Sequence, residues 1–257
     1  MKILGIAGRK QAGKTTVANI LHGEILKQKQ FILDYTINSN GKLVIQTTNK
    51  DDVEGWGEFD IERKDEAFFE YAHYNMWPFI KLYNFADPLK DMCINLFNIP
   101  YENLYGTDEQ KNQKIEHLQW ANMPGVGLFN MTKMAGYQEV KEGEMTSREF
   151  MQYLGTEVMR KMHQDVWANA CVNKMKKENS ELAIVADVRF PNEVEVIKKA
   201  GGKVLRLERN PFNDDHDSEK ALDADNYDHD NFWHVLDNSD NKIEETQKEI
   251  VKLLGEL

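Results

Sequence analysis

Cysteine is scarce in this chain: Cys93 and Cys171 are the only two in 257 residues, and both stand in helical-looking segments without metal-ligand spacing. That excludes a disulfide framework and predicts two ordinary reduced thiols. Positive charge is also short, with 32 Lys and Arg against 43 Asp and Glu and a formal net charge of −11. A broad electrostatic grip on a nucleic-acid polymer is therefore not expected, although a small phosphate site needs only a local cluster of donors. No uninterrupted apolar stretch is long enough to span a bilayer, and the apolar start MKILGIAG is too short for a signal peptide. Internal repeats and low-complexity linkers are lacking as well. With 41% hydrophobic and 29% charged residues, what remains is a globular protein expected in the cytoplasm and away from membranes.

Strands and helices alternate at both ends. Residues 1–7 form an apolar run that predicts a buried strand, and 15–27 predict a helix with Val17, Ile20, Leu21 and Ile25 on one face. From 31 to 48 the pattern alternates around Asn40-Gly41, a strong hairpin signal. The acidic, turn-rich stretch 51–70 has no clear period, so 31–70 reads as an insertion beside the main fold. Helical patterns return at 88–97 and over 147–177, broken near Gln164-Asp165, with Ser147 as the expected N-cap. Residues 100–146 read as a variable, mobile, substrate-side region.

Further on, 182–186 predict a central strand ending in Asp187, and 191–200 a helix with Pro191 at its start and Gly201 past its end. Strands at 203–207 and 234–236 and a closing helix at 243–254 complete the pattern. Together these predict one α/β domain over 1–257. It has three layers, a central parallel sheet, an inserted β-hairpin near 31–48, and ligands at the strands' C-terminal edge.

The most specific motif is Gly8-Arg9-Lys10-Gln11-Ala12-Gly13-Lys14-Thr15, which fits G-x-x-x-x-G-K-[ST] between an apolar strand and an amphipathic helix. Glycines let the backbone turn tightly and present successive N–H groups to phosphate oxygens, and the helix behind them adds its positive end. Lys14 reaches the β and γ phosphates of a nucleotide in such a loop, and the Thr15 hydroxyl ligates magnesium. The motif thus predicts a P-loop kinase fold that uses ATP and Mg²⁺, with Thr16 completing the ATP-binding set. Arg9 and Lys10 either bind phosphate or are solvated.

A buried strand that delivers a carboxylate at its C-terminal end, as 182–187 does, points Asp187 at magnesium or at the acceptor; a helix N-cap or an ion pair with Arg189 is the alternative. Arg189 is suited to clamp phosphate with both arms. Arg206 and Arg209 flank the end of the next strand, either as lid cations meeting charge in the transition state or as surface residues.

Several patches resemble the deoxynucleoside monophosphate kinases of large DNA bacteriophages. Beside the phosphate loop, Phe85-Ala86-Asp87-Pro88-Leu89-Lys90 looks like the family's segment lining the monophosphate site. Arg148 to Glu157, with Gln152 and Leu154-Gly155-Thr156, resembles its R-x-x-(M)-Q-x-L-G-T-[DE] element, and Trp167 the tryptophan after it. Asp187-Val188-Arg189 through Glu193 matches its D-x-R-x-x-x-E turn, His216-Asp217-Ser218-Glu219 its H-x-[ST]-E stretch, and Leu236-Asp237-Asn238 its segment near the ATP adenine. These patches follow the family's order over nearly the whole chain outside 31–70. In one respect the chain departs: where the T-even-phage form has aspartate after the P-loop lysine, this chain has Thr15.

The resemblance implies phosphorylation of deoxynucleoside 5′-monophosphates to diphosphates in the cytoplasm, the host's if a phage encodes the chain. It places Lys14, Asp187 and Arg189 in catalysis and Asn238 at ATP. It places Asp87, Lys90, Arg148, Gln152, Gly155, Thr156, Trp167, Asp187, Arg189 and Glu193 at the acceptor. The bland readings stay beside it: Trp167 as core, Gly155-Thr156 as a packing site, and 216–219 as part of a solvated acidic face. Another small-acceptor kinase, such as a dephospho-coenzyme A kinase, is the nearer rival, and a nucleotide-gated ATPase or binding module the more distant one. Whether the chain forms a homodimer is left open.

Overall fold

The computed structural model describes every residue except 49–50, 64, 125–141, 212–216 and 241. It divides into two compact units, residues 1–85 with 168–257, and residues 86–167. The first unit opens with β1 (Lys2–Ala7), α1 (Lys14–Gln28), β2 (Asp34–Ile37), β3 (Leu43–Thr48), β4 (Glu54–Glu58), α2 (Glu66–Asn75) and β5 (Ile80–Tyr83). The second holds α3 (Asp87–Phe97), α4 (Tyr101–Tyr105), α5 (Asp108–Lys111), β6 (Lys114–Gln119), β7 (Glu144–Thr146) and α6 (Ser147–Gln152), which continues as a π-helical segment, Tyr153–Arg160. The chain returns through α7 (Val166–Glu178) to β8 (Leu182–Val188), α8 (Pro191–Lys199), β9 (Lys203–Leu207), α9 (Asp217–Lys220), β10 (His234–Leu236) and α10 (Ile243–Leu254).

Five strands of the first unit form a sheet in the order β10-β9-β1-β8-β5, every neighbour parallel. β1 is central, and its near-continuous apolar sequence is what burial on two faces requires. Successive side chains go to opposite faces. Leu4, Ile6, Ile184 and Leu205 join a core with Leu21 of α1 and Ile250 of α10. Ile3, Ala183, Val185 and Val204 join another with Val172 of α7 and Ile197 of α8. The result is the three-layer α/β arrangement of a P-loop kinase. Because all five strands run the same way, their C-terminal ends put Gly8, Asp187, Arg209 and Asn238 along one edge.

The hairpin expected at 31–48 is β2 and β3, paired antiparallel from Asp34↔Gln46 to Ile37↔Leu43. The patternless stretch after it folds too. β4 adds a third strand, and α2 follows, capped by the Asp65 carboxylate on the Phe68 amide. All five β4 residues are exposed, which explains why no alternation marks them. Tyr35, Ile37, Leu43, Phe68 and Ala72 share the core of α1, so the insertion is built into this unit.

The second unit has its own core around Leu89, Cys93, Leu104, Trp120, Met145, Phe150 and Trp167. The cap of α6 is Thr146 rather than Ser147: its hydroxyl accepts from the Glu149 amide while the Glu149 carboxylate accepts from the Thr146 amide. Both cysteines are buried free thiols, and burial pushes Cys93 up to about 12. Residues 125–141 of the stretch expected to be mobile lie outside the described residues, as does His216. Among the described residues no helix is long and apolar enough to cross a membrane.

Candidate active site

The phosphate loop leaves β1 at Ala7 and enters α1 at Lys14. Its turn closes with an Ala12 N–H to Arg9 carbonyl bond of 3.1 Å. Gly13 stands at the helix start with φ 100°, a left-handed conformation that strains any side-chain-bearing residue. Gly13, the N-cap of α1, has no side chain to cap the first turn, so the leading amides keep the donor capacity and positive potential that anions seek. Lys14 Nζ donates to the Gly8 and Arg9 carbonyls, each at 2.7 Å, and is thereby folded over the loop. Burial, then the neighbouring Arg189 guanidinium, lowers Lys14 to about 8, while Glu219 opposes the shift. A depressed lysine pKa reports a site that concentrates positive charge away from water and is relieved by an incoming anion.

Two carboxylates hold the surrounding cations. Glu219 accepts from the Lys10 amide at 2.5 Å and from Arg189 Nη1 at 2.5 Å. Asp223 pairs with Arg9 and, at 2.9 Å, with Arg206. Arg206, expected as a lid cation, is thus a strand residue of β9, 5% exposed and engaged from the side. Glu219 is 7% exposed, which sets aside the alternative reading of a solvated face at that position.

Asp187 lies one residue before the end of β8, where both carboxylate oxygens accept from the Phe85 amide at 3.0 and 3.1 Å. Glu193, expected at the acceptor, is buried and accepts from the Arg189 and Phe190 amides at 2.8 and 3.1 Å. It shapes the turn that presents Arg189. Asn238, also buried, donates to the Ala12 carbonyl at 2.8 Å and accepts from the Arg209 amide at 3.0 Å, tying the ends of β10 and β9 to the phosphate loop. A cavity of about 450 Å³ adjoins Gln11, Gly13, Lys14, Thr15 and Thr16, with Arg209 and Asn238 in its lining. That volume lies in the range of small-molecule sites. Gln11, itself left-handed at φ 57°, and Lys10 are exposed.

The second unit carries the remaining expected residues. Asp87 opens α3 and accepts a long 3.5 Å bond from the Tyr105 hydroxyl, while Lys90 lies 4.1 Å over the Tyr105 ring. Arg148 pairs with Asp108 at 2.6 Å. Gln152 and Thr156 are exposed, whereas Gly155 and Trp167 are buried together, the indole N–H donating to the Gly155 carbonyl at 3.1 Å. Trp167 is therefore part of this unit's core.

For magnesium the available donors are hard oxygens, the exposed Thr15 hydroxyl and the Asp187 carboxylate. Among the described residues no group of three or more His, Cys, Asp or Glu could hold a metal by itself. Mg²⁺ takes oxygen ligands of this kind and keeps water and substrate phosphates as the others. Sequence reasoning missed Asp223 altogether and gave Glu219 a family motif but no partners, because both sit in an acidic run whose buried partners are distant in sequence. It also missed the hairpin residues Ser39, Asn40 and Gly41 in the cavity lining.

Comparison with known proteins identifies the family. The family described as deoxynucleotide monophosphate kinase matches residues 2–250. A protein of Acanthamoeba polyphaga mimivirus named as a deoxynucleotide monophosphate kinase is 28% identical over 153 residues, 54% of this chain and 67% of its own length. The deoxynucleoside-5′-monophosphate kinase of Escherichia phage T5 is 32% identical over 56 residues, 21% of this chain and 22% of its own length. The chain belongs to the deoxynucleotide monophosphate kinase family.

Proposed function

We propose, from that membership and the phosphate loop, that the chain transfers the γ-phosphoryl group of ATP to the 5′-phosphate of a deoxynucleoside monophosphate. An acceptor phosphate oxygen attacks the γ phosphorus, the bond to the β–γ bridging oxygen breaks, and the products are ADP and a deoxynucleoside diphosphate. Such transfer needs little covalent help from the protein; it needs alignment and cations around the transferring group. The observation that carries the proposal is Lys14, folded over a loop whose helix has no side-chain cap, beside a cavity of about 450 Å³.

In this mechanism Lys14 and the leading amides of α1 hold the β and γ phosphates, and Arg209 is the cation at the mouth of the donor cavity. Arg189, held by Glu219, neutralises the acceptor phosphate, and Glu193 fixes the backbone from which Arg189 projects. Thr15 and Asp187 would hold Mg²⁺, which would supply charge neutralisation at the donor phosphates. The acceptor roles of Asp87, Lys90, Arg148, Gln152, Gly155, Thr156 and Trp167 are proposed from the resemblance alone. Reaction in the cytoplasm, on free nucleotides and without a nucleic-acid polymer, belongs to the same proposal.

The test is a panel of four deoxynucleoside monophosphates, their ribose counterparts, dephospho-coenzyme A and DNA, each with ATP and Mg²⁺, with phosphorylated product and ADP quantified. Diphosphate from at least one deoxynucleotide is expected. Phosphorylation of dephospho-coenzyme A alone, or ATP hydrolysis that DNA stimulates and nucleotides do not, would overturn the proposal.

A further inference from the structure

The cavity beside the phosphate loop is lined by more than the loop itself. Beyond Lys14 and Thr15 its lining includes Ser39, Asn40 and Gly41 from the hairpin tip, and Ile243 and Thr246 from α10. The hairpin therefore reaches the site, and the structure shows how its tip is held there.

Residues 38–42 form a self-braced turn. The Asn38 side-chain oxygen accepts from the Asn40 and Lys42 amides at 2.9 and 3.0 Å, and the Gly41 amide donates to the Asn38 carbonyl at 2.9 Å. That turn is fastened to α1, the helix that begins with Lys14. Asn19 is buried and donates to the Gly41 carbonyl at 2.8 Å. Gly41 has φ +75°, and a Cβ there would stand 2.2 Å from Thr16 Oγ1. Only glycine permits both the left-handed backbone and so close an approach to α1. The tip and the phosphate loop are thus fixed to one rigid element. Ser39 and Asn40 are exposed, and their side chains have no hydrogen-bond partner among the described residues. An exposed polar pair is ordinarily just solvated; here it borders a cavity at a set position relative to the phosphate-binding amides.

We propose that the hairpin tip is a wall of the donor's nucleoside pocket, in which the Ser39 hydroxyl and the Asn40 carboxamide hydrogen-bond the sugar or base of the nucleoside triphosphate. This rests on the phosphate loop being the donor site. The apolar side of Ile243 offers the nucleoside a surface to pack on, and the Thr246 hydroxyl a further polar contact. The insertion then serves as a reader of the donor, built on the helix that holds its phosphates.

Calorimetry with two probes, ATP and inorganic tripolyphosphate, each with Mg²⁺, tests this on the full chain. In the Ser39→Ala/Asn40→Ala variant ATP affinity should fall by about tenfold, the loss of one or two hydrogen bonds, while tripolyphosphate affinity stays at the wild-type value. Gly41→Ala, which displaces the tip, should give the same split. Retained tripolyphosphate binding also certifies that a variant is folded. Unchanged ATP affinity in both variants, with tripolyphosphate still bound, overturns the proposal. Failure of the wild-type chain to bind tripolyphosphate would instead overturn the donor-site assignment beneath it.

Discussion

Arg189 and Glu219 form an ion pair in which the carboxylate is buried and the guanidinium 39% exposed, so one end is fixed and the other faces solvent. The same carboxylate takes the Lys10 amide of the phosphate loop. The arginine proposed to meet the acceptor phosphate and the phosphate loop are thereby referred to one anchor. Arg189→Met leaves that anchor buried without its cation, and unfolding in urea should show a loss of about 1–2 kcal/mol, below a fully buried pair because Arg189 is partly solvated. Combining it with Glu219→Gln should restore part of the loss, a non-additivity that two independent sites do not show.

Lys14→Ala removes the donor proposed to meet charge on the transferring group. Turnover should fall by about 10²–10³-fold or more, in line with loss of a preorganised charge-stabilising donor. The thermal midpoint at neutral pH should stay level or rise, because the folded state holds this lysine charged against a burial penalty. Near-normal turnover in this variant would remove Lys14 from the mechanism.

With its pKa at about 8 in the free protein, Lys14 is partly neutral once the pH reaches that value. A bound polyphosphate favours the charged form and raises the pKa again. Binding of tripolyphosphate above about pH 8 should therefore take up protons and weaken as pH rises. Calorimetry in buffers of differing ionisation enthalpy measures that uptake. Lys14→Met should abolish the part of it that titrates through this window.

His22, fully buried in α1 with Nδ1 on the Ala18 carbonyl at 2.7 Å, is lowered by burial to about 4 from an ordinary 6.5. The unfolded chain then binds a proton between these values and the folded chain does not. Its contribution favours folding least at low pH, so stability falls as pH drops from about 6.5 to 4, by up to about 3 kcal/mol. Unfolding free energies of wild type and His22→Leu across that range should diverge in slope, the variant being the flatter.

How much of this was legible in sequence depended on whether the determining contacts were local. The phosphate loop was legible because its requirements fall on eight contiguous residues between a strand and a helix. So were β8, α8 and β9, each with an apolar run or a Pro and Gly boundary of its own. Strand β5 has only four residues, too few for a period to register, and β4 pairs through its backbone while exposing every side chain. The N-cap of α6 was one residue away from the expectation because the residue three after Thr146, Glu149, closes the capping box, a spacing the sequence does display.

The site was harder. Glu219 and Asp223 belong to a run whose composition signals solvation, and only folding supplies Lys10, Arg9, Arg189 and Arg206 as partners. Asn40-Gly41 announced a turn but not its destination, since Asn19 and Thr16 come before it in an unrelated element. The π-helical stretch Tyr153–Arg160 was hidden for a related reason. Its residues continue a helical pattern, and the extra residue per turn leaves no compositional trace.

The central place of β1 has a consequence for how the protein is made. Its neighbours in the sheet are β8 and β9, with Lys2 beside Leu182 and Leu4 beside Lys203. A nascent chain leaves the ribosome with the phosphate-loop sequence, residues 8–15, ahead of the other strands of the sheet. It gains the strands that brace that loop only when residues 182–207 have been synthesised. Until then an apolar segment waits without its sheet, which is the situation that makes chains of high contact order slow to fold and dependent on chaperones. A prematurely terminated product would carry the complete motif and no donor site.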